Sequence, residues 1–226
     1  MATWVPLESN PDVMNTFLHK LGVPEKIKVV DVFGLDTELL AMLPQPVLAL
    51  LLLFPCDDEY EEFKNKQEEE LKQKGQTISN KLYFMKQFVH NACGTIALIH
   101  SIANIENLDL GDGFLKQFLD DTRPLSPDER GKQLQKSEAI SATHGALANE
   151  GQTAPPDNRV PVLYHFIAFV HKEGSLYELD GRKAFPINHG STSEETFLHD
   201  AAAACREYMS RNPDNVNFTV VAVTAE

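Results

Sequence analysis

Residues 163–180 read LYHFIAFVHKEGSLYELD. The run 163–170 is apolar, β-branched and aromatic, and 176–179 resumes that character after Lys172, Glu173 and Gly174. Two such runs separated by a short glycine-bearing turn predict an antiparallel hairpin. His165 lies inside the first strand, where a polar side chain among apolar neighbours must be hydrogen-bonded or put to use. Its relation to Asp180 depends on the turn. With a two-residue Glu173-Gly174 turn, Lys172 pairs with Ser175, His165 lies opposite Arg182, and Asp180 is diagonal to His165 on one face. A four-residue turn sets His165 and Asp180 face to face, and a three-residue turn separates them to opposite faces. A carboxylate on one ring nitrogen fixes the tautomer of an imidazole and supports its cation. Asp180 precedes Gly181, so it reads equally well as a turn aspartate.

Further strands are predicted over 28–33, over 216–223 and over 47–54; the last is apolar on both faces, as in a covered central strand. A helix begins after Ser9 or Asn10, with Pro11 in its first turn. Its apolar face is Val13, Met14, Phe17, Leu18 and Leu21, and Gly22 closes it. A short helix over 37–43 is stopped by Pro44. The charge-dense segment 57–74 reads as an exposed helix, with Glu68, Glu69 and Glu70 as a solvated face. Helices are also predicted over 114–121, from Ser126 to about Leu147, and over 193–211 with Ser193 opening it. With no repeat and no linker, this mixture predicts one α+β domain over residues 1–226 with a mainly antiparallel sheet.

The composition is that of a globular protein, 42% hydrophobic and 23% charged. No apolar run reaches membrane-spanning length. The start has no basic region ahead of an apolar one, so no secretory signal is expected. Cys56, Cys93 and Cys205 are odd in number and far apart, which predicts reduced thiols and a cytoplasmic setting. No Cys/His spacing suggests zinc; neither metal nor cofactor is expected. The net charge of -13 disfavours nucleic acid and suits a basic partner.

Residues 91–104, NACGTIALIHSIAN, place Cys93 two residues after Asn91, a good helix cap, at the start of an apolar helix. Helix N-termini carry partial positive charge and unpaired N–H groups, which favour the nucleophilic thiolate. A buried structural cysteine has the same signature. Gly94 leaves room beside the sulfur for a second backbone to approach. Gln87, six residues earlier, has an amide able to donate to an oxyanion together with the Cys93 N–H, although spacing alone does not show this. His90, His100, His144, His171 and His189 compete with His165 as a base, none with a carboxylate so simply placed. Residues 149–161, NEGQTAPPDNRVP, contain three prolines and a glycine, which predicts a long loop.

Four separated stretches together resemble one family: PLESNP (6–11), FMKQFVHNACGTIALIHSIAN (84–104), HFIAFVHKEGSLYELDGRKAFPINHG (165–190) and NFTVVAVTAE (217–226). In this order they are similar to the ubiquitin carboxyl-terminal hydrolases, closest to the short members of the L3 isozyme type. The resemblance extends along essentially the whole chain. It implies a papain-like cysteine peptidase fold, an antiparallel sheet of about six strands flanked by helices, with a knotted backbone. It implies Cys93 as nucleophile, His165 as general base, Asp180 as its orienter and Gln87 as oxyanion donor. The implied reaction is cleavage after the C-terminal glycine of ubiquitin, whose basic tail suits the acidic chain. The resemblance further implies a ubiquitin interface on Pro6, Leu7, Glu8, Ser9, Asn10 and Pro11, on Asp31, and on Asn215, Val216, Asn217, Phe218, Thr219 and Val220. Asn149, Glu150, Gly151, Gln152, Thr153, Ala154, Pro155 and Pro156 would belong to a crossover loop arching over the cleft. The composition around Ala154-Pro155-Pro156 departs from the family's pattern. The ending VTAE offers no cysteine for prenylation, and the long extension of larger members is not expected. A monomer without nucleic-acid or membrane partners is expected. The alternatives are a ubiquitin-binding protein of the same fold without strong catalysis, and a hydrolase for another ubiquitin-like modifier.

Overall fold

The computed structural model describes residues 3–153 and 162–225. Among them, six strands form one antiparallel sheet in the order β1-β6-β2-β3-β4-β5. The strands are β1 (Ile27–Asp31), β2 (Val47–Pro55), β3 (Tyr164–Lys172), β4 (Ser175–Leu179), β5 (Ile187–Ser191) and β6 (Thr219–Ala225). β2 and β3 lie inside the sheet and are covered on both faces, as the apolar runs 47–54 and 166–170 require. One face carries α1 (Pro11–Lys20), α4 (Cys93–Ala103), α5 (Phe114–Thr122), α6 (Pro127–Lys136) and α7 (Glu138–Leu147). The other carries α2 (Thr37–Leu40), α3 (Asp58–Lys74) and α8 (Phe197–Arg211). Each face has its own apolar core, so the sheet is covered twice.

Helix α1 starts as expected, with the Asn10 side chain accepting from the Asp12 and Val13 N–H groups and Pro11 in the first turn. Ser126 forms a reciprocal capping box with Glu129. Three expectations are corrected, and one strand is new. The helix from Ser126 does not run unbroken: Ser137 takes an extended ψ of 98°, ends α6 and caps α7 through its hydroxyl. Helix α8 begins at Phe197; Ser193 closes the preceding turn, its Oγ accepting from the Thr196 N–H. The strand expected from 216 starts at Thr219, and Val216 is exposed. β5, with the polar sequence INHGS, carries no alternating apolar pattern and was not legible.

Helix α3 is more than a solvated rod. Its Tyr60 is buried, and three of its acceptors hold residues 182–184: Glu61 Oε1 takes Arg182 Nη2 at 2.5 Å, Gln67 Oε1 takes Lys183 Nζ at 2.7 Å, and Glu68 Oε1 takes the Ala184 N–H at 2.7 Å. The turn that carries Asp180 is thereby fastened to α3.

A packing prediction arises at Gly131 of α6. A Cβ there would lie 1.9 Å from the Lys86 carbonyl oxygen and 2.8 Å from Phe88 Cδ2. Gly131→Ala must push α6 away from the 84–88 segment, and overpacking of this kind costs about 1–3 kcal/mol or more. The expected result is a lower unfolding midpoint in urea with an unchanged denaturant slope; an unaltered midpoint would refute the packing reading.

Candidate active site

The hairpin resolves to the two-residue turn. Glu173 and Gly174 take φ of 46° and 77°, Lys172 pairs with Ser175, and Ala168 pairs with Leu179. β4 ends at Leu179, and Asp180 follows, diagonal to His165. Its Oδ1 accepts from His165 Nε2 at 2.7 Å and from the Arg182 N–H at 2.8 Å; its Oδ2 accepts from the Tyr60 hydroxyl. His165 is 3% exposed and Asp180 fully buried.

Cys93 is the first residue of α4, so the N–H groups of its turn point out of the helix unpaired by the helix itself. Asn91 is not the cap. It takes a left-handed φ of 63°, its side-chain amide donates to the Trp4 carbonyl, and Ala92 occupies the cap without a side-chain bond. Gly94 does open space, but for side chains: a Cβ there would meet Leu7 Cβ at 3.3 Å and Phe166 Cδ2 at 3.4 Å. This seats the N-terminal segment and β3 against the start of α4.

The His165 side chain is the group that draws the Cys93 thiol toward the thiolate. With Nε2 given to Asp180, Nδ1 is the ring nitrogen left to meet the sulfur. Burial works against the thiolate, but the hydrogen bond and charge of His165, with backbone bonds to Phe166 and Gly94, hold the thiol below its ordinary value. For His165 burial acts downward, and the Asp180 charge and hydrogen bond overcome it, raising the imidazole to about 9. Burial would raise Asp180, yet His165, Lys183 and the Tyr60 hydroxyl hold its carboxyl far below the usual range. The other two thiols go the opposite way. Burial pushes Cys56 up to about 11 against the pull of Arg182, and burial with the Glu178 charge pushes Cys205 further still.

Gln87 is placed by backbone anchors on both sides. Its N–H donates to the Gly181 carbonyl at 2.7 Å, and the Lys86 N–H donates to the Pro127 carbonyl at 3.0 Å. His100 accepts from the Met85 N–H, and Asn104 brackets Tyr83 with both amide atoms. Burial holds His100 down to about 4, so it is neutral and able to accept. Gln87 Nε2 spends one proton on the Val89 carbonyl at 2.9 Å, and an amide carries two.

Of the competing histidines, His144 bonds Thr95 and the Val5 carbonyl, pinning the N-terminal segment to α4. His189 has a carboxylate that hairpin register does not predict: its Nε2 lies 2.9 Å from Glu178 Oε2. Glu178 also takes Lys183 and Tyr208, so that group is a buried structural network.

The candidate interface residues are dispersed in exposure. Leu7 and Val220 turn into the core, each 5% exposed, and the Asn10 side chain is used as the α1 cap. Pro6, Ser9 and Pro11 are half-buried. Asp31, Val216 and Asn217 are exposed, Asn215, Phe218 and Thr219 half-buried. Glu8 binds the start of the expected loop: its carboxylate accepts from the Gln152 N–H, the Thr153 N–H and the Thr153 hydroxyl at 2.6–3.0 Å. Ala154, Pro155 and Pro156 lie outside the described residues.

One residue of the site escaped sequence reasoning, Tyr60, and Arg182 entered it only as the residue opposite His165. The one signal for Tyr60 was an aromatic in the first turn of a highly charged helix.

A thiol drawn toward the thiolate by an imidazole, itself bonded to a buried carboxylate, can supply a nucleophilic sulfur and then return a proton, which defines the chemistry of thiol hydrolases. Residues 4–210 match the sequence model of ubiquitin carboxyl-terminal hydrolase, family 1. A Drosophila melanogaster ubiquitin carboxyl-terminal hydrolase is 53% identical, covering 100% of this chain and 99% of the relative. The Homo sapiens ubiquitin carboxyl-terminal hydrolase isozyme L1 is 50% identical, covering 96% of both chains. Among solved structures, Trichinella spiralis UCH37 bound to ubiquitin vinyl methyl ester superposes with a TM-score of 0.74 at 25% identity, over 99% of this chain and 82% of that one. The chain belongs to the ubiquitin carboxyl-terminal hydrolase family, and it is a cysteine peptidase of that family. None of its described helices is long and apolar enough to cross a membrane.

Proposed function

We propose that this enzyme cleaves small adducts or short peptides from the C-terminal glycine of ubiquitin, with Cys93, His165, Asp180 and Gln87 as its machinery. The Cys93 thiolate attacks the carbonyl carbon of that glycine. The Gln87 amide and the Cys93 N–H stabilise the oxyanion, His165 protonates the leaving group, and a thioester remains on Sγ. His165 then draws a proton from water, and hydroxide releases the glycine carboxylate. Asp180 keeps the ring oriented and its cation stable throughout. One observation carries this reading: a buried imidazole held by the Asp180 carboxylate at 2.7 Å acts on Cys93, the one thiol of the three shifted toward the thiolate.

Ubiquitin as partner is supported by the ubiquitin-bound relative and by the net charge of -13, which suits a basic tail. The interface we assign runs over the exposed atoms of Pro6, Glu8, Ser9 and Pro11, Asp31, and residues 215–219. We assign residues 149–156 to the crossover loop, and the clasp of Glu8 on Gln152 and Thr153 supports that reading. Cys56, Cys93 and Cys205 are free, which fits a single chain working as a monomer in the reducing cytoplasm.

The test uses ubiquitin carrying a thiol-reactive electrophile in place of its C-terminal carboxylate. The expected outcome is one covalent adduct, mapped by mass spectrometry to Cys93, with none on the Cys93→Ala protein. Faster labelling by a related modifier would replace ubiquitin as the substrate, and an adduct on Cys56 would remove the assignment of the nucleophile.

A further inference from the structure

The carboxylate of Asp180 receives three hydrogen bonds from three parts of the fold. His165 and the Arg182 N–H both use Oδ1, and the Tyr60 hydroxyl uses Oδ2. Tyr60 therefore faces the base from behind: its ring centroid is 6.2 Å from that of His165 and 5.0 Å from that of Phe54. With Oδ1 shared by two donors, Oδ2 is the atom that decides how the carboxylate is rotated, because a carboxylate has one torsion and two oxygens to satisfy.

Tyr60 is itself held firmly. It belongs to the first turn of α3, where Asp57 Oδ1 accepts its N–H at 3.0 Å. The Arg182 guanidinium lies 5.9 Å from the centre of its ring and reaches Glu61 at 2.5 Å and the Cys56 sulfur at 2.6 Å. Arg182 thus clips the first turn of α3 to the same turn whose N–H binds Asp180. Buried on every side, the Asp180 oxygen would be left without a donor if the hydroxyl were absent, and an unpaired buried charge either rotates toward other donors or draws in water.

We propose that Tyr60 is a positioning residue for the reaction, its hydroxyl fixing the rotation of Asp180 and through it the orientation of the His165 ring toward Cys93. This rests on the assignment of Asp180 as orienter. The residue touches neither sulfur nor substrate. Its effect falls on the chemical step, and substrate affinity is set elsewhere.

The test compares Tyr60→Phe with Asp180→Asn on a fluorogenic ubiquitin amide. Tyr60→Phe keeps the ring packing and removes one oxygen. Its kcat should fall about tenfold with KM unchanged, in line with the loss of one hydrogen bond to a charged group. The alkaline limb of kcat/KM separates positioning from simple destabilisation. A carboxylate with one donor fewer holds the imidazolium more tightly, so in Tyr60→Phe that limb moves to higher pH. In Asp180→Asn, which lacks the charge, it moves to lower pH. If Tyr60→Phe does not fold, 3,5-difluorotyrosine at position 60 keeps the ring and makes a stronger donor, and the limb should move to lower pH. Unchanged kcat and limbs in Tyr60→Phe, or no displacement with the fluorinated residue, overturns the proposal. If Asp180→Asn also leaves the rate and the limb unchanged, the assignment of Asp180 itself falls; if Asp180→Asn is slow and Tyr60→Phe is normal, only the role of Tyr60 falls.

Discussion

Cys93→Ala is expected to abolish hydrolysis of ubiquitin amides, a loss on the order of 10⁴-fold or more, because without sulfur no covalent intermediate forms. Binding of ubiquitin should survive, since the assigned interface lies mainly on the N-terminal segment, Asp31 and residues 215–219. Cys56→Ala and Cys205→Ala are the controls. Both thiols are held protonated by burial, so neither supplies a nucleophile near neutral pH. Each control should keep nearly full turnover, although Cys205→Ala opens a small space in the core beside α8 and should lower stability modestly. Single-turnover kinetics with calorimetric titration of ubiquitin separates chemistry from binding. Turnover by Cys93→Ala near the wild-type rate would sink the mechanism.

His165→Ala comes second, with an expected loss on the order of 10²–10⁴-fold in kcat for removal of a general acid–base. The loss concerns both members of the pair, because His165 is also what brings the thiol down. The pH profile follows from the two shifts. The Cys93 thiol is lowered and the imidazole raised to about 9, so thiolate and imidazolium coexist between them. Falling pH protonates the sulfur; rising pH through about 9 strips the imidazolium of its proton. The profile of kcat/KM should be bell-shaped, with both limbs belonging to the coupled pair. His189→Ala should leave the rate close to wild type and instead weaken the fold, because Glu178 loses a donor. Equal damage from His165→Ala and His189→Ala would move the base from the first to the second.

The elements written in local chemistry were legible from the chain alone. The α1 start at Ser9 or Asn10, the helix start at Ser126, the apolar central strand at 47–54 and the glycine-bearing hairpin turn all depend on neighbours a few residues apart. The hairpin went further: it narrowed the relation of His165 to Asp180 to a choice of turn, because strand alternation has a period of two and a turn fixes register. Cys93 at a helix start was equally local, although its cap was misread, since Asn91 spends its amide on Trp4, a residue 87 positions away. The sheet order was not in the sequence. β6, last in the chain, enters between β1 and β2, a long-range pairing that no local preference encodes. The same holds for the choice among three thiols, which is made by the imidazole that the fold brings to one of them. It holds again for Tyr60, which dense charge made look like part of a solvated helix. Its hydroxyl meets a carboxylate 120 residues away, and only the packing of α3 against the turn after β4 brings them together. Periodicity and capping record what a residue's neighbours along the chain require; which buried donor satisfies which buried charge is decided by the folded chain, where leaving either one unpaired is costly.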